Sequence, residues 1–347
     1  ATRVIFTTEP SSSAVKRVIG VEYLEGGLLY KANILAANNP EPPLNSVYAN
    51  KEVILSAGAF NSPQLLMQSG IGDINLFKRS DIKVPHQRAL PGVGKNLQEH
   101  YEMGIAIQTP ENNQWAKDCL SLNLFKTLSF SCLGSLLNLE NGNMDDTFAA
   151  TNASIGSYLI RSFDEDESLG ITPYTENGEP DIHAFGIPSK FTGYFNGYSL
   201  PAFEPNKFTW LTLKGHTKHR GGTVTLKTDN PLDYPRINFN FYEDGDKPTA
   251  QLESGQLPNE NNPVAYDDSA STYDLGAMVA SVKLIRRIIR KSNQLYNEDH
   301  DLPEDTESFK EIWAGAEAVT DEELRDVIRA ETFGHHPTST AAIGADN

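Results

Sequence analysis

The chain has 347 residues, 39% of them hydrophobic, and carries a formal net charge of −17 at pH 7. This length exceeds the roughly 100–200 residues of a typical domain, so we expect two lobes with a substantial core. Acidic residues are spread along the whole sequence, which argues against nucleic acid as a partner. No apolar run reaches the roughly 20 residues that a membrane-spanning helix needs, so we expect no membrane span.

The first third of the sequence alternates short β-type runs with turns. The runs at residues 3–7, 15–24 and 28–35, with Gly26-Gly27 between the last two, predict a β-meander. Residues 52–56 are mostly apolar and predict a strand buried on both faces. Ser62 as N-cap and Pro63 at the first helical position then predict the start of a helix.

The later part of the chain contains two predicted helices and one predicted hairpin. Residues 274–291 have apolar side chains at helical spacing and predict a scaffold helix that faces the core, and residues 321–328 predict a second helix. Residues 219–227 and 235–237 predict the two strands of a hairpin. Cys119 and Cys132 lack the spacing of zinc ligands or of a redox dithiol, and we expect no metal.

A glycine turn at residues 57–59 joins the predicted strand 52–56 to the helix that follows. Small residues at a strand's end, followed by a helix N-terminus, let a nucleotide approach the backbone closely, although many α/β proteins contain such a turn. Residues 58–72, which end in Ser-Gly-Ile-Gly, resemble the second sequence motif of the glucose-methanol-choline (GMC) oxidoreductases nearly position by position.

A glycine-rich segment at residues 90–100, Leu-Pro-Gly-Val-Gly-Lys-Asn-Leu-Gln-Glu-His, is similar to a segment that lies near the flavin in this family. Glu99 stands where the family usually has Asp. The alternative is a glycine-rich loop in which His100 is simply well satisfied. The resemblance implies FAD as cofactor, with contacts at Ala1, Ser56, Ala57, Gly58, Asn96 and His100. Ala1 is included because its strand resembles the one that touches the adenine.

Two consecutive histidines stand before a proline in residues 332–346, Thr-Phe-Gly-His-His-Pro-Thr-Ser-Thr-Ala-Ala-Ile-Gly-Ala-Asp. A histidine pair alone is more often a surface or core feature than a catalytic one. The family, however, has a histidine beside the flavin N5 four residues before a threonine, and His336 and Thr340 keep that spacing. The resemblance therefore implies His336 as the catalytic residue and His335 as a second candidate. Ser339 and Ile343 depart from the usual Gly and Met, which indicates an atypical subgroup.

The resemblance implies oxidation of a CH–OH donor, such as an alcohol or sugar, by hydride transfer to flavin N5. His336 would take the hydroxyl proton as general base, a role that suits an imidazole near neutral pH. The substrate would be a small molecule and O2 is a candidate electron acceptor. The sequence around His336 resembles that of fungal family members that include formate oxidases. A hydroxynitrile lyase on the same fold and an inactive truncated fragment remain alternatives.

The expected fold class is mixed, α+β and α/β. It combines part of a Rossmann-like FAD-binding domain, including the β-meander, with a substrate domain of antiparallel sheet covered by helices. We expect residues 1–100 in the FAD-binding domain, 101–331 in the substrate domain, and 332–347 back in the FAD-binding domain. No G-x-G-x-x-G follows a first strand, so we expect an internal piece of a longer family member. Compartment and oligomeric state are not indicated.

Overall fold

The chain forms two compact units. The computed structural model describes residues 1–7, 16–36, 42–111, 156–162, 179–196, 198, 204, 206–243 and 268–344; Cys119 and Cys132 lie outside them. Unit 1 comprises Ala1–Glu99, His219–Ala270 and His336–Asn347, and unit 2 comprises His100–Lys218 and Ser271–His335. Residues 219–270 thus lie with unit 1, whereas the predicted substrate domain, residues 101–331, includes them. The functions of the domains stay predictions.

Unit 1 begins with a three-stranded antiparallel meander, as predicted. Its strands, in spatial order, are β1 (Arg3–Phe6), β2 (Val18–Leu24) and β3 (Leu44–Tyr48). The predicted third strand at residues 28–35 is wrong, because this segment folds into consecutive turns. Leu28 has a φ of +57°, and the N–H of Asn33 donates to the carbonyl of Tyr30 over 2.8 Å. Backbone N–H and C=O groups that would pair with β2 in a strand are thus hydrogen-bonded within these turns.

The strand predicted at residues 52–56 is also wrong. No strand in the described part of the chain pairs with this run, and Ile54 is 76% exposed. A strand buried on both faces requires neighbouring strands and two covering layers. The helix that follows, α1 (Gly58–Gln68), starts at Gly58 and has Pro63 inside it instead of at its first position. The Ser62 hydroxyl accepts from the N–H of Ala57 over 2.9 Å and so braces the preceding turn.

The rest of unit 1 packs around α1. Two short strands, β4 (Ile71–Gly72) and β5 (Arg88–Ala89), pair in parallel. The predicted hairpin is confirmed in a shorter form, as β10 (Thr223–Thr225) and β11 (Arg236–Asn238). A buried core joins these parts and consists of Met67, Leu76, Ile82, Val93 and Leu226.

Residues 94–97 lie directly against the β10 end of the hairpin. The N–H of Val224 donates to the carbonyl of Gly94 over 2.7 Å, and the N–H of Leu97 donates to that of Gly222 over 2.9 Å. Gly94 has a φ of +81°, and a Cβ there would stand 2.1 Å from the carbonyl oxygen of Val224. Only glycine allows both this backbone conformation and this approach.

Unit 2 contains a five-stranded antiparallel sheet in the spatial order β12-β6-β9-β8-β7. The strands are β6 (Tyr101–Gln108), β7 (Gly156–Ile160), β8 (Ile182–Ile187), β9 (Lys207–Lys214) and β12 (Lys310–Trp313). Burial alternates along β8, so that one face of the sheet is covered.

Two helices accompany this sheet, and both predicted helices are confirmed with longer bounds. They are α2 (Asp268–Asp299) and α3 (Asp321–Glu331). The predicted apolar stripe of α2, which includes Leu275, Met278 and Ile285, is buried. Ser281 of α2 and Thr212 of β9 share a buried hydroxyl hydrogen bond of 2.5 Å, so α2 packs on the sheet. Among the described residues no helix has the length and apolar character needed to cross a membrane.

Candidate active site

Within unit 1 the structure brings the segment after His336 beside the glycine-rich segment. Gln98 and Thr338 exchange two backbone hydrogen bonds of 3.1 and 3.0 Å, and the N–H of Gly94 donates to the carbonyl of Thr340 over 2.8 Å. The N–H of His336 donates to Oε1 of Glu99 over 2.6 Å. Residues 336–340 therefore run antiparallel to residues 94–99. Glu99, which stands where the family usually has Asp, is buried, and its carboxylate holds the backbone of His336.

The same segment is bound to α1 through Thr340. Its hydroxyl group donates to the carbonyl oxygen of Ala59, and Thr340 is 3% exposed. In a regular α-helix that carbonyl would accept from the N–H of residue 63. Because residue 63 is proline and has no N–H, the oxygen of Ala59 is left for another donor. Thr340, chosen in the sequence only for its spacing from His336, supplies that donor.

The predicted cofactor residues of unit 1 fall into two places. Ser56, Ala57 and Gly58 form an exposed turn directly before Ala59, and Asn96, with a φ of +60°, lies in the segment beside residues 336–340. Both are thus connected to the His336 segment by the bonds described above. Ala1 is exposed, and its strand bonds to the opposite end of α1, where the N–H of Val4 donates to Ser69 Oγ over 2.9 Å.

The Gly58 turn has the properties that a nucleotide cofactor requires of a backbone. Gly58 has a φ of +83°, and a Cβ built there would meet no atom within 4 Å. No side chain caps the N-terminus of α1, and its first turn carries no acidic residue. Backbone N–H groups at such a helix start attract anions and a ribose or phosphate has room to approach. The open backbone of this turn can therefore accept a nucleotide group, and an FAD contact there stays a prediction.

In unit 2, His335 is held by a carboxylate that the sequence analysis missed. Nδ1 of His335 lies 3.1 Å from Oε1 of Glu102, whose side chain is 4% exposed, whereas that of His335 is 45% exposed. Glu102 and Phe333 also exchange two backbone hydrogen bonds of 2.8 and 2.9 Å. The available signal was that Glu102 is the single charged residue of β6, a strand that is otherwise mostly apolar. Its partner could not be foreseen, because the two residues are far apart in sequence.

An aromatic cluster packs against His335 in the same unit. The rings of Tyr194 and His335 lie 5.2 Å apart at 72°, and Tyr194 also makes edge-to-face contacts with Phe191, Tyr198 and Phe333. Burial, together with the charge of Glu102 and the neighbouring Tyr198, raises the pKa of the Tyr194 hydroxyl above its usual value. Tyr194 is therefore neutral near pH 7, and its aromatic ring packs against the imidazole of His335.

His100, the remaining predicted cofactor residue, is half-buried in unit 2. Its Nδ1 lies 3.2 Å from the carbonyl oxygen of Lys214, whose buried ammonium group pairs with Asp181 over 3.0 Å. The imidazole is thus oriented by the backbone of β9. This contact agrees with the alternative in which His100 is hydrogen-bonded within a glycine-rich loop. A flavin contact at His100 stays a prediction.

The fold is one that solved flavin-dependent oxidoreductases share. A formate oxidase from Aspergillus oryzae RIB40 superposes with a TM-score of 0.65 at 18% identity, over 98% of this chain and 50% of the other. An FAD-dependent oxidoreductase from Chaetomium thermophilum gives a TM-score of 0.58 at 19% identity, over 99% and 52% of the two chains.

Sequence comparison identifies the family. Two family models, both described as GMC oxidoreductase, match residues 1–102 and 218–347, about two thirds of the chain, which therefore belongs to the GMC oxidoreductase family. An oxygen-dependent choline dehydrogenase from Cronobacter sakazakii is 28% identical over 336 residues, 95% of this chain and 45% of its own length. The chain thus spans about half the length of the curated relatives it matches. These homologues are FAD-dependent oxidoreductases.

Proposed function

We propose that the protein is an FAD-dependent oxidoreductase that oxidises the CH–OH group of a small molecule, with His336 as general base. The observation that carries this proposal is the meeting of three sequence motifs in unit 1. The Gly58 turn, the segment around Asn96 and the segment after His336 are joined by direct hydrogen bonds, including those from Thr340 to Ala59 and from His336 to Glu99.

The residues that would contact the cofactor are Ser56, Ala57 and Gly58 at and just before the start of α1, Asn96 beside the His336 segment, and Ala1, which lies just before β1. A further contact at His100 is part of the same proposal. When bound, FAD supplies the acceptor for the hydride of the substrate C–H bond. The open N-terminus of α1 supports an anionic or ribose contact at the Gly58 turn.

The proton of the substrate hydroxyl would pass to the imidazole of His336. Loss of that proton as the hydride leaves gives a carbonyl product and avoids a high-energy cation. Glu99 holds the His336 backbone N–H, and Pro337 limits the backbone of the histidine before it, so the imidazole is presented from a fixed main chain. The side chain of His336 is exposed.

Two features bear on the electron acceptor and on the donor. The relative from Cronobacter sakazakii is described as oxygen-dependent, which supports O2 as electron acceptor here. The run His-His-Pro-Thr-Ser-Thr at residues 335–340 and the fold shared with formate oxidase favour formate as a second candidate donor. A test therefore offers both formate and simple alcohols.

The cofactor site is tested by the visible spectrum of the purified full-length protein. Gly58→Val would place a branched side chain in the space before α1 at a backbone angle that favours glycine, and we expect bound flavin to be lost. Gly26→Ala is the control, because Gly26 also has a positive φ but lies in the β-meander turn. Flavin retained by Gly58→Val would contradict the proposed site. Bound flavin that no alcohol and no formate reduces would favour the lyase, and absence of flavin from the wild type would favour an inactive protein.

A further inference from the structure

Ser339 has a backbone conformation that serine rarely adopts. Its φ is +71°, in the left-handed region that favours glycine. Glycine is also the residue that the family usually has at this position, so this chain carries a side chain where glycine would adopt the same backbone at lower cost. Residues held in such conformations are destabilising and cluster at ligand sites. The outlier therefore directs attention to what the Ser339 side chain does.

Contacts on both sides hold Ser339 in this conformation. Before it, Thr338 exchanges two backbone hydrogen bonds with Gln98, and after it, the carbonyl of Thr340 accepts from the N–H of Gly94 over 2.8 Å. All of these residues belong to unit 1. The turn at Ser339 is thus fixed from both ends, and its side chain starts from a fixed position.

Asn96 lies in the stretch that the same two contacts enclose. It stands between Gly94 and Gln98 on the facing segment and has a φ of +60°, a conformation that asparagine tolerates better than serine does. Both Asn96 and Ser339 are partly buried, and within the described part of the chain neither side chain has a hydrogen-bond partner. A partly buried amide and hydroxyl without protein partners are suited to bind a ligand.

The proposed reaction indicates which ligand this is. The C–H and O–H bonds that break belong to one CH–OH group, so the proton acceptor and the hydride acceptor must approach the same few atoms. With His336 as the proton acceptor, we expect the flavin ring, and not the adenine, beside the segment that begins at His336. Ser339 follows in that segment, and Asn96 is one of the proposed cofactor contacts.

We propose that Ser339 is a further cofactor-contacting residue, whose hydroxyl group donates a hydrogen bond to a heteroatom of the flavin ring. This inference rests on the proposed function and adds to it a means of setting the reduction potential. Reduction adds electrons to the ring, and acceptors richer in electrons form stronger hydrogen bonds, so a donor stabilises reduced flavin more than oxidised flavin. Ser339 thus makes the bound flavin easier to reduce, which a glycine at this position cannot do.

The test is the midpoint reduction potential of the flavin bound to the full-length protein, measured against a reference dye. Ser339→Ala keeps the Cβ and removes the hydroxyl. We expect the reduced flavin to lose about tenfold in binding relative to the oxidised form, which is a fall of about 30 mV for a two-electron couple. Ser339→Gly should show the same fall but unfold at a higher temperature than the wild type, because glycine adopts this φ without steric cost. Ser80→Ala removes an exposed hydroxyl elsewhere in unit 1 and should change neither quantity.

Four results would decide against one or both proposals. An unchanged potential in Ser339→Ala would overturn this inference, and if KM for the alcohol rose at the same time, the hydroxyl would contact the substrate instead. A Ser339→Gly protein that unfolds at or below the wild-type temperature would contradict the strained backbone from which the inference starts. A wild type without flavin would refute both this inference and the proposed function. Bound flavin that shows the expected shift, but that no alcohol and no formate reduces, would refute the proposed function alone.

Discussion

The hydroxyl group of Thr340 donates a hydrogen bond to the carbonyl oxygen of Ala59, 281 positions earlier in the chain. That oxygen is open to an outside donor because Pro63, one helical turn later, has no N–H to offer. Pro63, which the sequence pattern places at the start of a helix, therefore lies inside α1 in the structure. It leaves an acceptor inside α1 for the segment that carries His336.

This relationship predicts a coupling between Thr340 and Pro63. Thr340→Val removes the hydroxyl at nearly constant volume and leaves a buried acceptor unpaired, so we expect a loss of about 1–2 kcal/mol in the free energy of unfolding. Thr340→Ser keeps the donor and should cost less. In Pro63→Ala the new N–H can bond to Ala59, so Thr340→Val should cost less in that background than in the wild type. Equal costs in urea unfolding of the two backgrounds would contradict the role given to Pro63.

The contact between Glu99 and the His336 backbone predicts a catalytic effect without loss of cofactor. Glu99→Ala leaves the His336 N–H without this acceptor, 2.6 Å away in the wild type, and loosens the main chain that presents the imidazole. We expect flavin reduction to slow by about tenfold to a hundredfold while flavin stays bound. Glu99→Gln keeps an acceptor oxygen and should retain more activity. Stopped-flow absorbance measures both, and unchanged reduction in Glu99→Ala would refute the role.

The buried ion pair of unit 2 should matter far more to stability than an exposed one. Lys214 Nζ lies 3.0 Å from Oδ2 of Asp181, and the two side chains are 1% and 12% exposed. Asp181→Asn leaves the ammonium group buried without its counter-charge, and we expect a loss of about 3 kcal/mol. The control is Glu307→Gln, which disrupts the exposed contact between Glu307 and Lys310 and should cost less than about 1 kcal/mol. Similar costs for both variants in urea unfolding would contradict this ranking.

Asp233 predicts a dependence of stability on pH. Hydrogen bonds from Lys31 and then from Thr228 hold the pKa of its carboxyl below the ordinary value of 3.8. Because the folded pKa is the lower one, the stabilisation is complete above the unfolded pKa and is lost as pH falls through the folded value. Asp233→Asn should therefore cost about 1 kcal/mol at pH 7 and nothing in strong acid.

The control for this prediction is Lys31→Met, which removes the largest cause of the shift. The pH dependence of the Asp233→Asn effect should be smaller in that background when thermal unfolding is followed from acid to neutral pH. An Asp233→Asn cost that is the same at both ends of the pH range would show that the carboxyl group titrates alike in the folded and unfolded chain.

Local patterns predicted the elements whose stability is local. The apolar stripe of α2 and the start of α3 were both readable, and α3 begins with a capping box in which the Thr320 hydroxyl accepts from the N–H of Glu323. The hairpin β10–β11 was readable from its turn. In each of these cases the interactions that decide the structure lie within about one element of the sequence.

The failures concern partners that are distant in sequence. Residues 52–56 have the composition of a buried strand, but composition does not supply a neighbouring strand, and none of the described strands pairs with them. The third strand of the meander was placed too early because the turns after Gly26 were not recognised. At the candidate site, His336 could be predicted from motif spacing. The position of Glu102 near His335 could not be, because it depends on the pairing of Glu102 in β6 with Phe333.

The most direct test of the account is anaerobic reduction of the bound flavin in the full-length protein, followed by the bleaching of its visible absorbance. An alcohol should bleach the wild type, and His336→Ala should keep its flavin but react at least about a hundredfold more slowly, as expected for loss of a general base. His86→Ala, which changes an exposed histidine of unit 1, should react like the wild type. Wild-type rates in His336→Ala, with flavin bound, would contradict the assignment of this histidine as the base.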